Sequence, residues 1–207
     1  LPATIYLSLA SLLFMIVVSI PLGIYSAVKR GSVFDYVVRG LTFLGVSIPG
    51  FWLGLMLLWI LGLKLDLFPI VGGTVSLETI ILPATTLGIA MASKYTRQVR
   101  TAVLEELHQD YVVGARARGM SEKHILWKEV LPNAMLPLIT LMGLSLGNLL
   151  GGAAVIEMVF GWPGLGRLAI EAITYRDFQL VQGVVIWIAL MYMIINLVVD
   201  ISYNYLD

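Results

Sequence analysis

The sequence predicts an all-α membrane protein with five transmembrane helices, and three observations carry the prediction. Only 13% of its 207 residues are charged while 59% are hydrophobic. A soluble domain carries about 25% charged residues, and a chain this apolar is not disordered either. The charges are bunched, which leaves uncharged runs at 1–28, 40–63, 79–93, 130–156 and 178–199. Lys and Arg, finally, fall unevenly between those runs. A bilayer core of about 30 Å takes roughly 20 helical residues, with a usual range of about 17–25. Four runs meet that length. The fifth, Thr79 to Ser93, gains length from Lys94, whose side chain can snorkel to the interface, and from Leu77 beyond Glu78.

Lys29, Arg30, Arg39, Lys94, Arg97, Arg100, Arg116, Arg118, Lys123 and Lys128 lie on one side of the spans, and Lys64, Arg167 and Arg176 on the other. Basic residues collect in cytoplasmic loops, so the first side is expected inside, the first residue outside and the last residue in the cytoplasm. The chain opens Leu1-Pro2 without Met or a basic signal region, so at least one further upstream span is expected. There is no cysteine, hence no disulfide framework, thiolate metal site or Cys nucleophile. The 13 basic and 13 acidic residues balance, which gives no default reason to expect a nucleic-acid partner.

The first span carries Pro21, which removes one backbone hydrogen bond and is expected to kink the helix, and Gly23, which adds to the softness. The second carries Pro49 within Ser47-Ile48-Pro49-Gly50, then Gly50 and Gly54 four apart. Small residues at this spacing share a helix face and let backbones approach closely. The device recurs at Ala84, Gly88 and Ala92 in the third span and at Gly143, Gly147 and Gly151 in the fourth. Tight packing within one bundle is the plainer reading; a sliding or dimerising face is the other.

Lys94 to Gln109 continues the third span as an amphipathic helix, with Tyr95, Val99, Val103 and Leu107 at four-residue intervals. In the hydrophilic segment 94–129, Gly119 followed by Ser121 and Glu122 marks one short helix ending and another starting, because Gly suits a left-handed C-terminal position and Ser an N-cap. Two short helices about a glycine corner make a rigid knob beside the membrane, where an ordinary solvated loop is the bland alternative. His108 and His124 read as surface residues of the same side.

The outer segment 157–177 contains Gly161-Trp162-Pro163-Gly164-Leu165-Gly166 and then the amphipathic Leu168 to Ile173. It reads as a turn and short helix packed at the membrane face, with Trp162 at the interface. No G-x-x-x-x-G-K-[ST] occurs anywhere, so the chain supplies no ATP site by that route. Among the few polar residues within spans, Asn148, Ser145 and Met142 are the pathway candidates, although a buried amide bonded to a neighbouring helix is the commoner fate of such an Asn.

Gly114-Ala115 with Gly119 four residues after Ala115, followed at a distance by Leu131-Pro132, resembles the EAA loop of ABC-importer permeases, E-A-A-x-x-x-G-x(9)-I-x-L-P. The stretch from Asp110-Tyr111-Val112 to Gly119-Met120-Ser121-Glu122 is most similar to the permeases that import peptides and nickel (the B-type subunits). Supporting stretches are Leu44 to Gly54, Ile81-Leu82-Pro83-Ala84, Val159 to Arg167, Arg176-Asp177 and Asn196 to Asp200. Val113, Gly114 and Glu129 depart from the consensus Glu, Ala and Ile.

The resemblance implies a type I ABC-importer permease core spanning residues 1–207, preceded in such permeases by an N-terminal helix and an external region; it implies a transport subunit and not an enzyme. Its coupling helix would be Tyr111 to Arg118, with Gly114, Ala115, Arg116, Ala117, Gly119 and Met120 among the residues that dock on an ATPase subunit. A second permease subunit, two ATPase subunits holding ATP and Mg, an external solute-binding protein and membrane lipid are the implied partners, with no metal or cofactor in this chain. Arg167 and Glu171 are candidates for contact with the binding protein. The implied site is the bacterial or archaeal plasma (inner) membrane, and the implied cargo small peptides or nickel complexes. An ion-coupled secondary transporter is the alternative, weakened by the lack of ionisable residues inside the five runs; a structural membrane subunit is another.

Overall fold

The computed structural model describes residues 2–70 and 75–206; the side chains at 140, 144, 148, 150–152, 200 and 202–206 lie outside the description. The described residues form helices and connections, with no strand among them. Helix α1 is Pro2–Val28, α2 Val33–Ser47, α3 Gly50–Leu57 with a wider π-type continuation through Lys64, and α4 Leu77–Leu107. Helix α5 is Asp110–Ala117 and α6 Glu122–His124; a second π-type stretch, Ile125–Val130, leads into α7, Leu131–Gly152. The chain closes with α8, Ala154–Val159, α9, Leu165–Thr174, and α10, Phe178–Leu206.

The pairing of α1 with α4 is the spine of the molecule. Thr4, Ser8, Ser11, Ser19, Gly23 and Ser26 recur three to eight residues apart along one buried stripe of α1. Helix α4 answers with Ala84, Gly88, Ala92, Thr96 and Val99. The close approach is specific. A Cβ on Gly23 would stand 2.6 Å from the Val99 side chain, and one on Gly88 would stand 2.5 Å from Phe14. The glycines of α7 do the same for α10, since a Cβ on Gly147 would meet Tyr192 at 2.6 Å and one on Gly143 would overlap Val199. Packing within one bundle is therefore the use these small residues find; Gly151 lies outside the described side chains.

One membrane expectation changes. The expected second span is not one helix: α2 ends at Ser47, α3 starts at Gly50, and the two are bent by 103°. Ile48 precedes a proline, which disfavours the helical region, and it adopts φ −80°, ψ 126°, while Pro49 has no N–H to continue the ladder. Pro21, by contrast, lies inside an unbroken α1. Among the described residues three helical stretches are long and apolar enough to cross a membrane, Pro2–Val28, Glu122–Gly147 and Phe178–Val199, and four if the bent pair counts as one. The expected third span is the first part of α4, whose uncharged run is short and whose remainder is charged.

The main buried cluster joins Met15, Tyr95, Val99 and Val103 to Val112, Ala115, Ile125, Val130, Ala134 and Met142. The hydrophilic knob is thus anchored to the same core as the spans. A second cluster at the opposite end holds Ala3, Leu7, Ala84, Ala153 and Trp162.

Candidate functional site

The knob follows from its capping chemistry. Helix α5 ends at Ala117; Gly119 takes φ +77°, which glycine adopts without a Cβ penalty, and Ser121 caps α6 by accepting the His124 N–H at 3.4 Å. Across that corner Arg116 grips Glu122 through two bonds of 2.8 and 3.2 Å, with both side chains exposed. The pair lowers the Glu122 pKa and raises that of Arg116. It holds the angle between the two short helices more than it adds stability.

Helix α5 has two unlike faces. Val112 and Ala115 are buried against α4 and the start of α7, Ala115 being only 1% exposed. Tyr111 is half-buried; its hydroxyl donates to Glu106 at 2.6 Å and accepts from Asn133 at 3.4 Å. Burial, then the Glu106 carboxylate, pushes its pKa up. The outward face consists of Val113, Arg116, Ala117, Arg118 and Gly119, with Gly114 at its edge. Met120 folds back against the core, its sulfur 3.8 Å from Arg118. Ala115, implied above among the docking residues, instead faces the chain's own core, where its small size serves contact within the chain.

Behind the knob an ion pair pins α2. Arg100 donates Nε–H and Nη2–H to the two oxygens of Asp35 at 2.7 and 2.9 Å. Asp35 also accepts from the Ser26 hydroxyl at 2.6 Å and the Gly31 N–H at 3.0 Å. The Arg100 guanidinium, ahead of the other donors, holds the Asp35 carboxyl far below the usual carboxylate range against the opposing effect of burial. Sequence reasoning missed this clasp, because its partners are 65 positions apart.

At the opposite end, the outer segment folds around Glu157. This carboxylate is 0% exposed, and it accepts the Thr4 hydroxyl at 2.9 Å and the Arg167 N–H at 2.9 Å. Thr4 in turn accepts the Leu165 N–H at 2.7 Å. Two of the free N–H groups at the start of α9 thus find acceptors supplied from other helices. A side chain on Gly164 would occupy the carboxylate's place, and a Cβ on Gly166 would stand 2.5 Å from Ala154.

Trp162 is fully buried and donates its indole N–H to the Ala3 carbonyl at 2.9 Å, so it is a core residue here and not an interfacial one. Arg167 and Glu171 pair with one another at 2.7 Å, each partly exposed.

The pathway candidates separate. Met142 lies in the main core, and Ser145 is buried, bonded to the Tyr95 hydroxyl, which also donates to the Leu141 carbonyl at 2.7 Å. The side chain of Asn148 lies outside the described residues. Among the described residues no group of three or more His, Asp or Glu side chains is placed to hold a metal ion.

Long apolar helices, with a charged knob at one end and the capped helix α9 at the other, are the features of an integral membrane protein. The chain matches, over residues 19–207, the family described as binding-protein-dependent transport system inner membrane component, and it belongs to that family. It is 38% identical over 217 residues to the oligopeptide transport system permease protein AppB of Bacillus subtilis (strain 168), the match covering 100% of this chain and 68% of that protein. It is 37% identical over 232 residues to the dipeptide transport system permease protein DppB of Escherichia coli (strain K12), covering 98% and 68%. The glutathione transport system permease protein GsiC of Salmonella choleraesuis (strain SC-B67) is 41% identical over 200 residues, covering 97% and 65%.

Among solved structures, the inward-facing MetNI methionine ABC transporter superposes with a TM-score of 0.81 at 20% identity, covering 99% of this chain and 93% of that one. An amino acid ABC transporter crystallised with histidines gives 0.75 at 15%, covering 99% and 91%. The fold is that of an ABC-importer permease, and the chain is a transport subunit of the inner membrane.

Proposed function

We propose that this chain passes small peptides inward as one permease subunit of an ATP-driven importer, with α5 as the coupling helix. The observation that carries the proposal is the kinship to permeases of oligopeptide, dipeptide and glutathione systems. The geometry of α5 supports it: one face is locked into the core and the other presents Val113, Gly114, Arg116, Ala117, Arg118 and Gly119 to a partner. Peptide is preferred to nickel because the relatives named above are peptide or glutathione systems.

In this reading a second permease subunit completes the pathway, and two ATPase subunits, which hold ATP and Mg, dock on the α5 surfaces. An external solute-binding protein delivers cargo to the end that carries α9, where the Arg167–Glu171 pair is partly exposed. The start of α1 faces outside and α10 ends in the cytoplasm. Met142, Ser145 and Asn148 remain the candidate path residues on α7, with Met142 and Ser145 acting through the packing of α7 on α4.

An ion-coupled transporter would need a titrating group in the membrane domain. Glu157 is the one buried carboxylate at the outer end among the described residues, and both its oxygens are engaged by donors. Reconstitution with the ATPase subunits and binding protein in proteoliposomes tests the proposal. ATP-dependent accumulation of a labelled dipeptide is expected; accumulation driven by an ion gradient with no ATPase present would overturn it.

A further inference from the structure

Helix α2 is largely exposed, burying only Asp35, Val38 and Thr42 of its 15 residues. Beside its contact with α4 runs an open groove of about 500 Å³ lined by Tyr36, Arg39 and Phe43 from α2 and by Arg97, Arg100 and Thr101 from α4. The three α2 residues stand at i, i+3 and i+7, and the α4 residues at i, i+3 and i+4, so each helix contributes one face. Three guanidinium groups therefore converge on one groove.

Only one of them is neutralised. Arg100 is committed to Asp35. Arg39 and Arg97 have no carboxylate within ion-pair distance among the described residues, and the nearest charge-stabilising contact of Arg39 is the Tyr36 ring, 5.7 Å from its guanidinium. In a chain whose formal charges sum to zero, this is a local excess of cation that the protein does not answer.

The depth of the groove selects the anion. Arg39 directly precedes the uncharged run 40–63, and Arg97 stands three residues, or about 4.5 Å of helix, beyond Lys94, which ends the run 79–93. Both lie where a hydrocarbon core gives way to polar headgroups. Tyr36 and Phe43 are 62% and 65% exposed, as aromatic residues at that boundary are, and toward the hydrocarbon the surface is apolar through Leu44, Val46 and Phe51.

We infer that this groove seats the headgroup of an anionic phospholipid from the leaflet on the side of α5. The lipid phosphate lies between Arg39 and Arg97, and its acyl chains run along the exposed face of α2. A peptide carboxylate is the less fitting occupant, since the surface on the membrane side of the cations is apolar and the groove's only neutral polar side chains are the hydroxyls of Tyr36 and Thr101. The inference does not depend on what the importer carries.

The test uses the complete permease with its partner subunits, purified and returned to nanodiscs of phosphatidylcholine with or without phosphatidylglycerol. Native mass spectrometry of the released complex reads which lipid stays bound. Wild type is expected to retain phosphatidylglycerol in preference to phosphatidylcholine. Arg39→Gln/Arg97→Gln is expected to lose that preference by about tenfold or more, and Lys123→Gln to keep it. The single variants, each with a smaller loss, serve if the double variant does not assemble. Equal retention of both lipids by wild type, or an unchanged preference in the double variant, overturns the inference. A raised KM for peptide uptake in the double variant with lipid preference intact does so too, and assigns the groove to the transport path.

Discussion

Thr4 and Glu157 are separated by 153 positions, and a 2.9 Å hydrogen bond joins them in the buried outer end of the bundle. The same hydroxyl accepts the Leu165 N–H, so a single side chain on α1 links the carboxylate that closes α8 to the first turn of α9. Thr4→Val keeps the volume and removes both bonds, leaving a buried N–H unsatisfied. We expect it to destabilise the purified complex by about 1–3 kcal/mol, with a lower midpoint in thermal unfolding. Glu157→Leu should cost more, because Arg167 N–H and Thr4 both lose their acceptor. A wild-type melting curve for both variants would remove the assignment.

Asp35 and Arg100 give a pH prediction with a definite sign. The native carboxyl titrates below its unfolded value, so its stabilisation is present above the ordinary carboxylate range and is lost as pH falls through the depressed native value. Acidification from pH 7 to about 5, still above the ordinary carboxylate range, should therefore leave this contribution intact. Asp35→Asn should lose it at every pH, at a cost of about 3 kcal/mol for breaking a largely buried pair. Limited proteolysis at the loop between α1 and α2 reads the outcome; equal protection of variant and wild type at pH 7 contradicts it.

Gly119 separates backbone strain from partner contact. It has φ +77°, yet nothing lies within 4 Å of where its Cβ would be. Within this chain the cost of a side chain is therefore conformational, about 1–2 kcal/mol for a left-handed position, and Asn tolerates that position better than Leu. Gly119→Leu should insert and assemble but uncouple ATP hydrolysis from uptake, with Gly119→Asn intermediate. Normal substrate-stimulated ATPase activity and uptake in Gly119→Leu would sink the role given to this corner.

Gly147→Leu should push α10 away from α7, because its Cβ would meet the Tyr192 ring. Overpacking of this kind costs about 1–3 kcal/mol. Gly147→Leu combined with Tyr192→Ala should recover part of the loss, since the smaller partner vacates the space. A double-mutant cycle by thermal unfolding measures this, and purely additive effects would show that the contact is not limiting.

The parts of the fold that were legible in the sequence are those governed by local chemistry. Gly119 with Ser121 announced the corner between α5 and α6, and the four-residue spacing of Tyr95, Val99 and Val103 announced the inward face of α4. The glycines at 143 and 147 announced a close helix contact but not its partner, which no local signal names. The clasp of Arg100 on Asp35 and that of Glu157 on Thr4 depend on helices returning to one another from far along the chain. Trp162 misled for a related reason: a tryptophan near a membrane boundary suits lipid as well as a core, and only the position of the Ala3 carbonyl decides. Pro49 was visible in the sequence, but one continuous span was expected across it; the 103° bend reflects the two extended residues, Ile48 and Pro49, between α2 and α3.

Helix α4 runs unbroken for 31 residues, about 46 Å, from the Ser76 cap to the threshold of α5. Closely seated on α1 at Gly23 and Gly88, it forms with that helix a stiff two-rod beam. If α5 takes the push of an ATPase subunit, as proposed above, the far end would follow as a swing pivoting on the glycine contacts, and the break between α2 and α3 would let the flanking helix yield while the beam tilts.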